Sequence, residues 1–455
     1  MVELLVAAPA SGSGKTAVTC ALLAALSKRG LSPCAFKCGP DYIDPMFQRS
    51  VLGVESHNLD LFLCGEDRLR LLYERHLFGH GAAVCEGVMG FYDGVGGSTA
   101  KASAWHVANT LELPVLLVIR PRGSSLTLAA QIKGICSFRE RNRIRGVFLN
   151  DCPPMLFGSL APMLERETGL PVLGYLPHME EAVFESRHLG LYTAGEIAGL
   201  RQRIEVLGGK LEETTDMERF LALFAGRERG EAFLPVQAPV KARIAVARDE
   251  AFCFTYAETL DVLREAGAEL AEFSPLRDAG LPEQIGGLYL PGGYPELYAG
   301  QLSQNETMRK AIRRAIRDGL PTVAECGGFL YLGQTLEDET GRAYPMAGIL
   351  PGDGIKKGKP VRFGYAHLTA KSDSLLFDEG ERIPVHEFHY WDSSENGEGF
   401  DAKKPVSGRS WLCGFGEKNL YAAFPHLYFW GNPQWGERFV EAAARYLQKG
   451  IDGER

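Results

Sequence analysis

The sequence predicts an α/β protein of two domains, each built on a mostly parallel sheet with helices on both faces. Three observations predict it. Short apolar runs alternate with helix-periodic stretches through both halves of the chain, the pattern of strands joined by crossover helices. The alternation stops once, over residues 226–241, in a charged and then proline-bearing stretch that reads as a linker. The 455 residues also exceed what one hydrophobic core ordinarily holds.

In the first domain, residues 1–232, residues 3–8 read as a strand and 16–29 as a helix that Gly30 terminates. Further strands are expected at 82–85, 115–119, 146–149 and 172–175. In the second, residues 241–455, strands are expected at 243–247, 287–290 and 322–324, with a helix over 256–266. The apolar share of 45% and charged share of 23% are ordinary for a globular chain. A net charge of -8 argues against a nucleic-acid surface. No secretory leader and no apolar run long enough to span a bilayer is visible, so the expectation is a cytoplasmic protein without a membrane partner. The ten cysteines contain no CxxC pair. A disulfide framework is not expected, and most thiols should be buried small hydrophobes.

Residues 8–16, APASGSGKT, lie between the first strand and the first helix. That is where backbone N–H groups and a helix dipole cradle phosphate. Gly12 and Gly14 shape the loop, Lys15 would reach the β/γ-phosphates, and Thr16 would ligate Mg²⁺. Pro9 stands where the usual phosphate-loop pattern has glycine. A second Mg²⁺ anchor should end a later strand, and Glu86 in AAVCEG fits. Taken alone it could equally be a surface acid. Asp93 in FYDG is a candidate catalytic acid, though a turn before glycine explains it as well. In KCGPDYIDP, residues 37–45, turn chemistry accounts for the glycine and prolines. Lys37, Asp41 and Asp44 point instead to metal, phosphate or substrate. Asp41 is assigned to the metal, and Asp44 with Tyr42 to the substrate.

In the second domain PTVAECGGFL, residues 321–330, reads as strand, cysteine, tight turn, helix. Cys326 at that elbow would be held out of the sheet, its thiol pKa lowered by the helix N-terminus. Gly327 and Gly328 would leave N–H groups for an oxyanion. The glycine pair of LPGGYPE, residues 290–296, would supply another donor. A structural cysteine before a glycine turn would give the same local pattern. For the base, His426 competes with His386 and His389; the HEFHY spacing does not match a helical zinc pair.

Together GPDYIDP (39–45), EGVMGFYDG (86–94), RIAVARDEAFCF (243–254), LPGGYPE, ECGGFLYLG (325–333) and HEFHY (386–390) resemble the cobyrinate a,c-diamide synthase family, in order and over nearly the whole chain. The resemblance implies an N-terminal P-loop domain similar to dethiobiotin synthetase and a C-terminal class I glutamine amidotransferase domain. It implies Mg²⁺ and ATP, with a corrinoid or related tetrapyrrole and glutamine as small-molecule partners; a homodimer is left open. Cys326 becomes the nucleophile, His426 its base and Asn150 the adenine-recognising residue. Asp151 stands where a basic residue is commoner. Tyr428 occupies the place, two residues after the histidine, where related enzymes carry glutamate or a second histidine, so the third triad position is open. The implied reaction is ATP- and glutamine-dependent amidation of the a and c acetates of cobyrinate. The same chemistry on hydrogenobyrinate or Ni-sirohydrochlorin, and a P-loop switch ATPase with a vestigial thiol domain, are the alternatives.

Overall fold

The computed structural model describes residues 1–182, 194–226 and 238–453. Most of the expected linker, residues 226–241, lies outside the described residues. The chain divides into two compact units, Met1–Leu234 and Pro235–Arg455.

The first unit is a seven-stranded parallel sheet: β1 (Val2–Ala7), β2 (Pro33–Cys38), β3 (Ser56–Leu59), β4 (Ala82–Glu86), β5 (Val115–Ile119), β6 (Ile144–Asn150) and β7 (Val172–Leu176), in the order β3-β2-β4-β1-β5-β6-β7. Every residue of β1, β2, β4 and β5 is buried, which is why these strands read as continuous apolar runs and not as alternations. The helix Lys15–Lys28 buries most of its residues under the sheet. The helix Ala194–Thr214 packs on it so closely that a Cβ on Gly208 would stand 2.7 Å from that of Ala24. Register sets the chemistry in a row. Val6 lies beside Glu86, and Glu86 beside Lys37, at the C-terminal edge of β1, β4 and β2. Ligands of open α/β sheets sit at that edge.

The second unit contains β8 (Ala242–Ala247), β9 (Ala268–Phe273), β10 (Gly287–Leu290), β11 (Thr322–Glu325), β12 (Thr335–Glu337), β13 (Ala343–Pro345), β14 (Gly354–Lys356), β15 (Arg362–Ala370), β16 (Arg382–His389), β17 (Trp391–Ser393), β18 (Phe400–Lys403), β19 (Ser410–Cys413), β20 (Phe415–Gly416) and β21 (Leu420–Ala423). The main sheet runs β20-β21-β11-β10-β8-β9, parallel except at β20–β21. Two small sheets, β13-β12-β14-β17 and β16-β15-β18-β19, follow in sequence from the helix Gly327–Leu332. No described helix is long and apolar enough to cross a membrane.

Candidate active sites

The phosphate loop of the first unit closes on left-handed Gly12 and Gly14, at φ 76° and 94°. Gly14 is required twice over: an added Cβ there would lie 1.9 Å from Asn150 Nδ2. Asn150 therefore touches the loop from the end of β6, donating from Nδ2 to Ser13 O at 3.2 Å. Next to it, Asp151 at φ 55° takes Arg120 Nε at 2.7 Å and lies 2.9 Å from His178 Nδ1. Arg120, just past the neighbouring strand, is thus paired with Asp151.

Lys15 opens the helix and curls back over the loop, donating to Met89 O at 2.6 Å and Ala10 O at 3.3 Å. Burial lowers its pKa to about 8, with the Lys37 ammonium adding to the effect. Asp93 accepts from Gly90 N at 2.8 Å and so braces the strand-end loop that carries Met89. Thr16 Oγ1 donates to Glu86 Oε1 at 2.7 Å, and Lys37 Nζ donates to the same oxygen at 2.8 Å and to Asp44. Burial opposes the charge on Lys37, but Asp44 and Glu86 outweigh it and hold its pKa above the usual range. Burial raises Glu86 to about 7, with Lys37 working against it.

Glu86 is completely buried, not a surface acid. Its second oxygen, Oε2, is buried without a hydrogen-bond partner, a cost that an incoming cation would relieve. Thr16 Oγ1 and Glu86 present oxygens beside the phosphate loop, the ligand type that Mg²⁺ takes, while Asp44 is held by the Lys37 ammonium. The residues therefore fit that ion. Asp41 is placed less directly: its Oδ1 accepts from Ile43 N at 2.8 Å and Asp44 N at 3.3 Å, and its Oδ2 lies 4.0 Å from Lys37. Tyr42, almost buried, leads into the short helix Ile43–Phe47 that carries Asp44. At the opposite, N-terminal end of β3, Glu55 Oε1 lies 2.8 Å from His57 Nε2 and 2.9 Å from His76 Nδ1. That cluster braces the sheet edge.

In the second unit three strand ends converge. β10 leads into Pro291-Gly292-Gly293, β11 into Cys326, and β21 into Phe424-Pro425-His426, with Leu290 beside Ala324 and Glu325 beside Ala423. Cys326 takes φ 48° and ψ -101°, a region unfavourable to a side chain. The strain turns the chain sharply from strand into the helix Gly327–Leu332. Gly292 is the meeting point. A Cβ there would stand 2.5 Å from His426 Cε1, 3.4 Å from His426 Nε2 and 3.4 Å from Cys326 Cβ. Phe254 N donates to Gly292 O at 3.0 Å and Tyr294 N to Ala251 O at 3.0 Å, so the RDEAFCF segment supports this turn.

Two expectations need correction. The thiol is not lowered: burial pushes Cys326 well up, Glu296 and Glu387 push it further, and only the Gly327 N–H acts the other way. A helix of six residues, fully buried, has too little dipole to offset that desolvation. Gly328 N is also already spent, donating to Pro291 O at 3.1 Å. Gly293 N comes close to Gly327, 3.0 Å from where a Cβ on that glycine would be.

Of the competing histidines, His389 has Nδ1 on Trp391 O, Nε2 on Glu387 Oε1 at 2.9 Å, and its ring stacked 3.8 Å from Phe424. His386 pairs through its backbone with His426, and burial pushes its pKa down to about 3, with His426 and Lys404 adding. His426 is the imidazole brought to Cys326. Its other face was not anticipated: Nδ1 lies 3.7 Å from Glu325 Oε2.

Residues 4–190 match the family model described as "CobQ/CobB/MinD/ParA nucleotide binding domain", and residues 243–434 the model described as "CobB/CobQ-like glutamine amidotransferase domain". Similar curated proteins carry the name "Cobyrinate a,c-diamide synthase". That of Caldanaerobacter subterraneus subsp. tengcongensis is 36% identical, over 98% of this chain and 99% of its own length. That of Clostridium acetobutylicum is 39% identical, over 95% and 98%. That of Gloeobacter violaceus is 39% identical, over 96% and 95%.

Proposed function

The chain belongs to the cobyrinate a,c-diamide synthase family and is a glutamine-dependent amide-forming ligase of cobalamin biosynthesis; from that premise we propose that it amidates the a and c acetates of cobyrinate through acyl phosphates. The observation that carries the reading is one chain holding both a phosphate loop backed by Lys15, Lys37 and Glu86 and an elbow thiol beside His426. A carboxylate is a poor electrophile. Transfer of the ATP γ-phosphoryl gives it a leaving group, and Lys15 follows the charge of that transfer. Thr16 and Glu86, with Asp41, would hold Mg²⁺, which supplies charge neutralisation at the phosphates. Asn150 holds the phosphate loop through Ser13 O and, as the resemblance implies, reads the adenine, while Asp44 and Tyr42 would meet the substrate acetate.

In the second unit the Cys326 proton passes to His426 Nε2 as sulfur attacks the glutamine carboxamide. Gly327 N and Gly293 N receive the oxyanion. Collapse breaks the C–N bond, His426 returns the proton to the departing nitrogen, and ammonia leaves. Water then cleaves the thioester to glutamate. A switch ATPase with a vestigial thiol domain would not need this second site, whose strained elbow and converging histidine are intact.

Assaying the intact protein on cobyrinate, hydrogenobyrinate and Ni-sirohydrochlorin side by side tests the substrate. The expected result is a higher kcat/KM for cobyrinate than for either of the others. A preference for either of the others would replace the substrate but leave the chemistry.

Glu86→Gln separates the metal role from a structural one. The apparent Mg²⁺ requirement of amidation should rise about tenfold or more, while thioester formation at Cys326 stays near that of the parent. An unchanged Mg²⁺ titration would remove Glu86 from the ligand set and leave Thr16 with Asp41.

A further inference from the structure

We propose that Glu325, the residue immediately before the nucleophile, is the positioning carboxylate for His426, filling from β11 the place that Tyr428 cannot. The inference rests on the reading of Cys326 and His426 as nucleophile and base. Four observations on the side chains carry it. Glu325 ends β11 and is 1% exposed. Its Oε2 lies 3.7 Å from His426 Nδ1. Tyr289 OH donates to Oε2 at 3.0 Å, and Leu427 N, the amide next to His426, donates to Oε1 at 3.0 Å. The opposite edge of the imidazole, Cε1 and Nε2, faces Gly292 and Cys326.

The base must present Nε2 as an acceptor, so Nδ1 must carry the proton and needs an acceptor of its own. Glu325 lies on that side. At 3.7 Å the contact is an ion-pair distance longer than a hydrogen bond, and such contacts tighten in the reacting complex. A buried carboxylate with two neutral donors gains most when a cation forms beside it. The imidazolium made by deprotonating Cys326 is that cation. No proton reaches Glu325: it moves from Sγ to Nε2 and on to ammonia, while the Nδ1 proton stays. A glutamate in this place also resolves why a strand as apolar as TVAE ends in an acid. Tyr428 instead packs edge-on against Tyr256, ring centroids 4.9 Å apart.

The test uses the full chain, with Glu325→Gln, Glu325→Asp, Tyr289→Phe and, as control, Cys326→Ala. Glutaminase kcat is expected to fall about a hundredfold or more in Glu325→Gln, with KM for glutamine little changed. Glu325→Asp should recover part of the rate, and Tyr289→Phe, which removes one donor to the carboxylate and leaves its charge, should lose less than Glu325→Gln. Ammonium-dependent amidation should survive in all four. A near-parental kcat in Glu325→Gln, a fall expressed only in KM, or an equal loss in Tyr289→Phe would overturn the assignment, as would loss of ammonium-dependent turnover in both Glu325 variants. If Cys326→Ala still hydrolyses glutamine, the underlying thiol reading fails instead, and the control alone reports that.

Discussion

Lys15→Ala is expected to remove amide formation with either nitrogen donor while the chain still folds. Lys15 lies over the loop that should hold the phosphates, drawn onto Met89 O and Ala10 O by carbonyls that a phosphate oxygen would replace as partners. Neutral carbonyls hold an ammonium less firmly than a polyanion does, so the side chain is free to transfer to the nucleotide at little cost. Its contribution grows as charge shifts during phosphoryl transfer. The expected loss is therefore about a thousandfold or more in kcat, larger than any loss in nucleotide affinity. Glutamine hydrolysis in the absence of the other substrates should stay near the parent's, since that chemistry belongs to the second unit. The sign of the pH effect follows from the pKa lowered to about 8 by burial and by Lys37. The ammonium is present below that pH and lost above it. Nucleotide affinity of the parent should fall as pH rises through about 8, and Lys15→Ala should flatten that fall. Isothermal titration with a non-hydrolysable ATP analogue, run beside the two amidation assays, checks both parts. Ammonium-dependent turnover near the parental rate would remove the phosphate-loop assignment.

Short stretches of sequence encode their own local structure. The strand, loop, glycine, lysine and helix of residues 2–28 lie in one local unit, so the loop and Lys15 follow from spacing alone. Glu86 was legible because a strand of small apolar residues ends in an acid. The same signal ended TVAE in Glu325, but the cysteine beside it absorbed the explanation. The contact that gives Glu325 a role joins residues 325 and 426 from adjacent strands, and pairing of parallel strands has no local mark in sequence. Asn150 was placed near the nucleotide by resemblance, yet its hydrogen bond to Ser13 O depends on the register of β6 against the loop. The thiol was misjudged for a physical reason. Sequence reveals a helix start, which lowers a thiol pKa, but not the depth of burial, which raises it and here wins. The two small sheets between β12 and β19, one mixed and one antiparallel, were also missed, since several of their strands are only three or four residues long.

Cys326→Ala is expected to abolish glutamine-dependent amidation, by about four orders of magnitude or more, while ammonium-dependent amidation stays within about twofold of the parent. The split follows from two chemically separate sites, one making an electrophile and the other a nucleophile. Sulfur is the only atom the substitution removes that the first reaction uses, and alanine tolerates the buried position without leaving a polar group unsatisfied. The strained backbone at φ 48° should persist, because Cys326 N still donates to Ala423 O at 2.8 Å and Gly292 still packs against the histidine. Burial also predicts how the parent behaves at rest. With its pKa pushed well up by burial and by Glu296 and Glu387, the thiol stays protonated until glutamine binds, and only His426 can take the proton as the C–S bond forms. Alkylation of Cys326 by iodoacetamide, which needs a thiolate, should accordingly be slow at neutral pH and should slow further in His426→Ala. Mass spectrometry of the intact chain after incubation with glutamine should trap a thioester on the parent and none on Cys326→Ala. Equal loss with glutamine and ammonium would mean that the thiol supports the fold and not the reaction, and the amidotransferase reading of the second unit would fall with it.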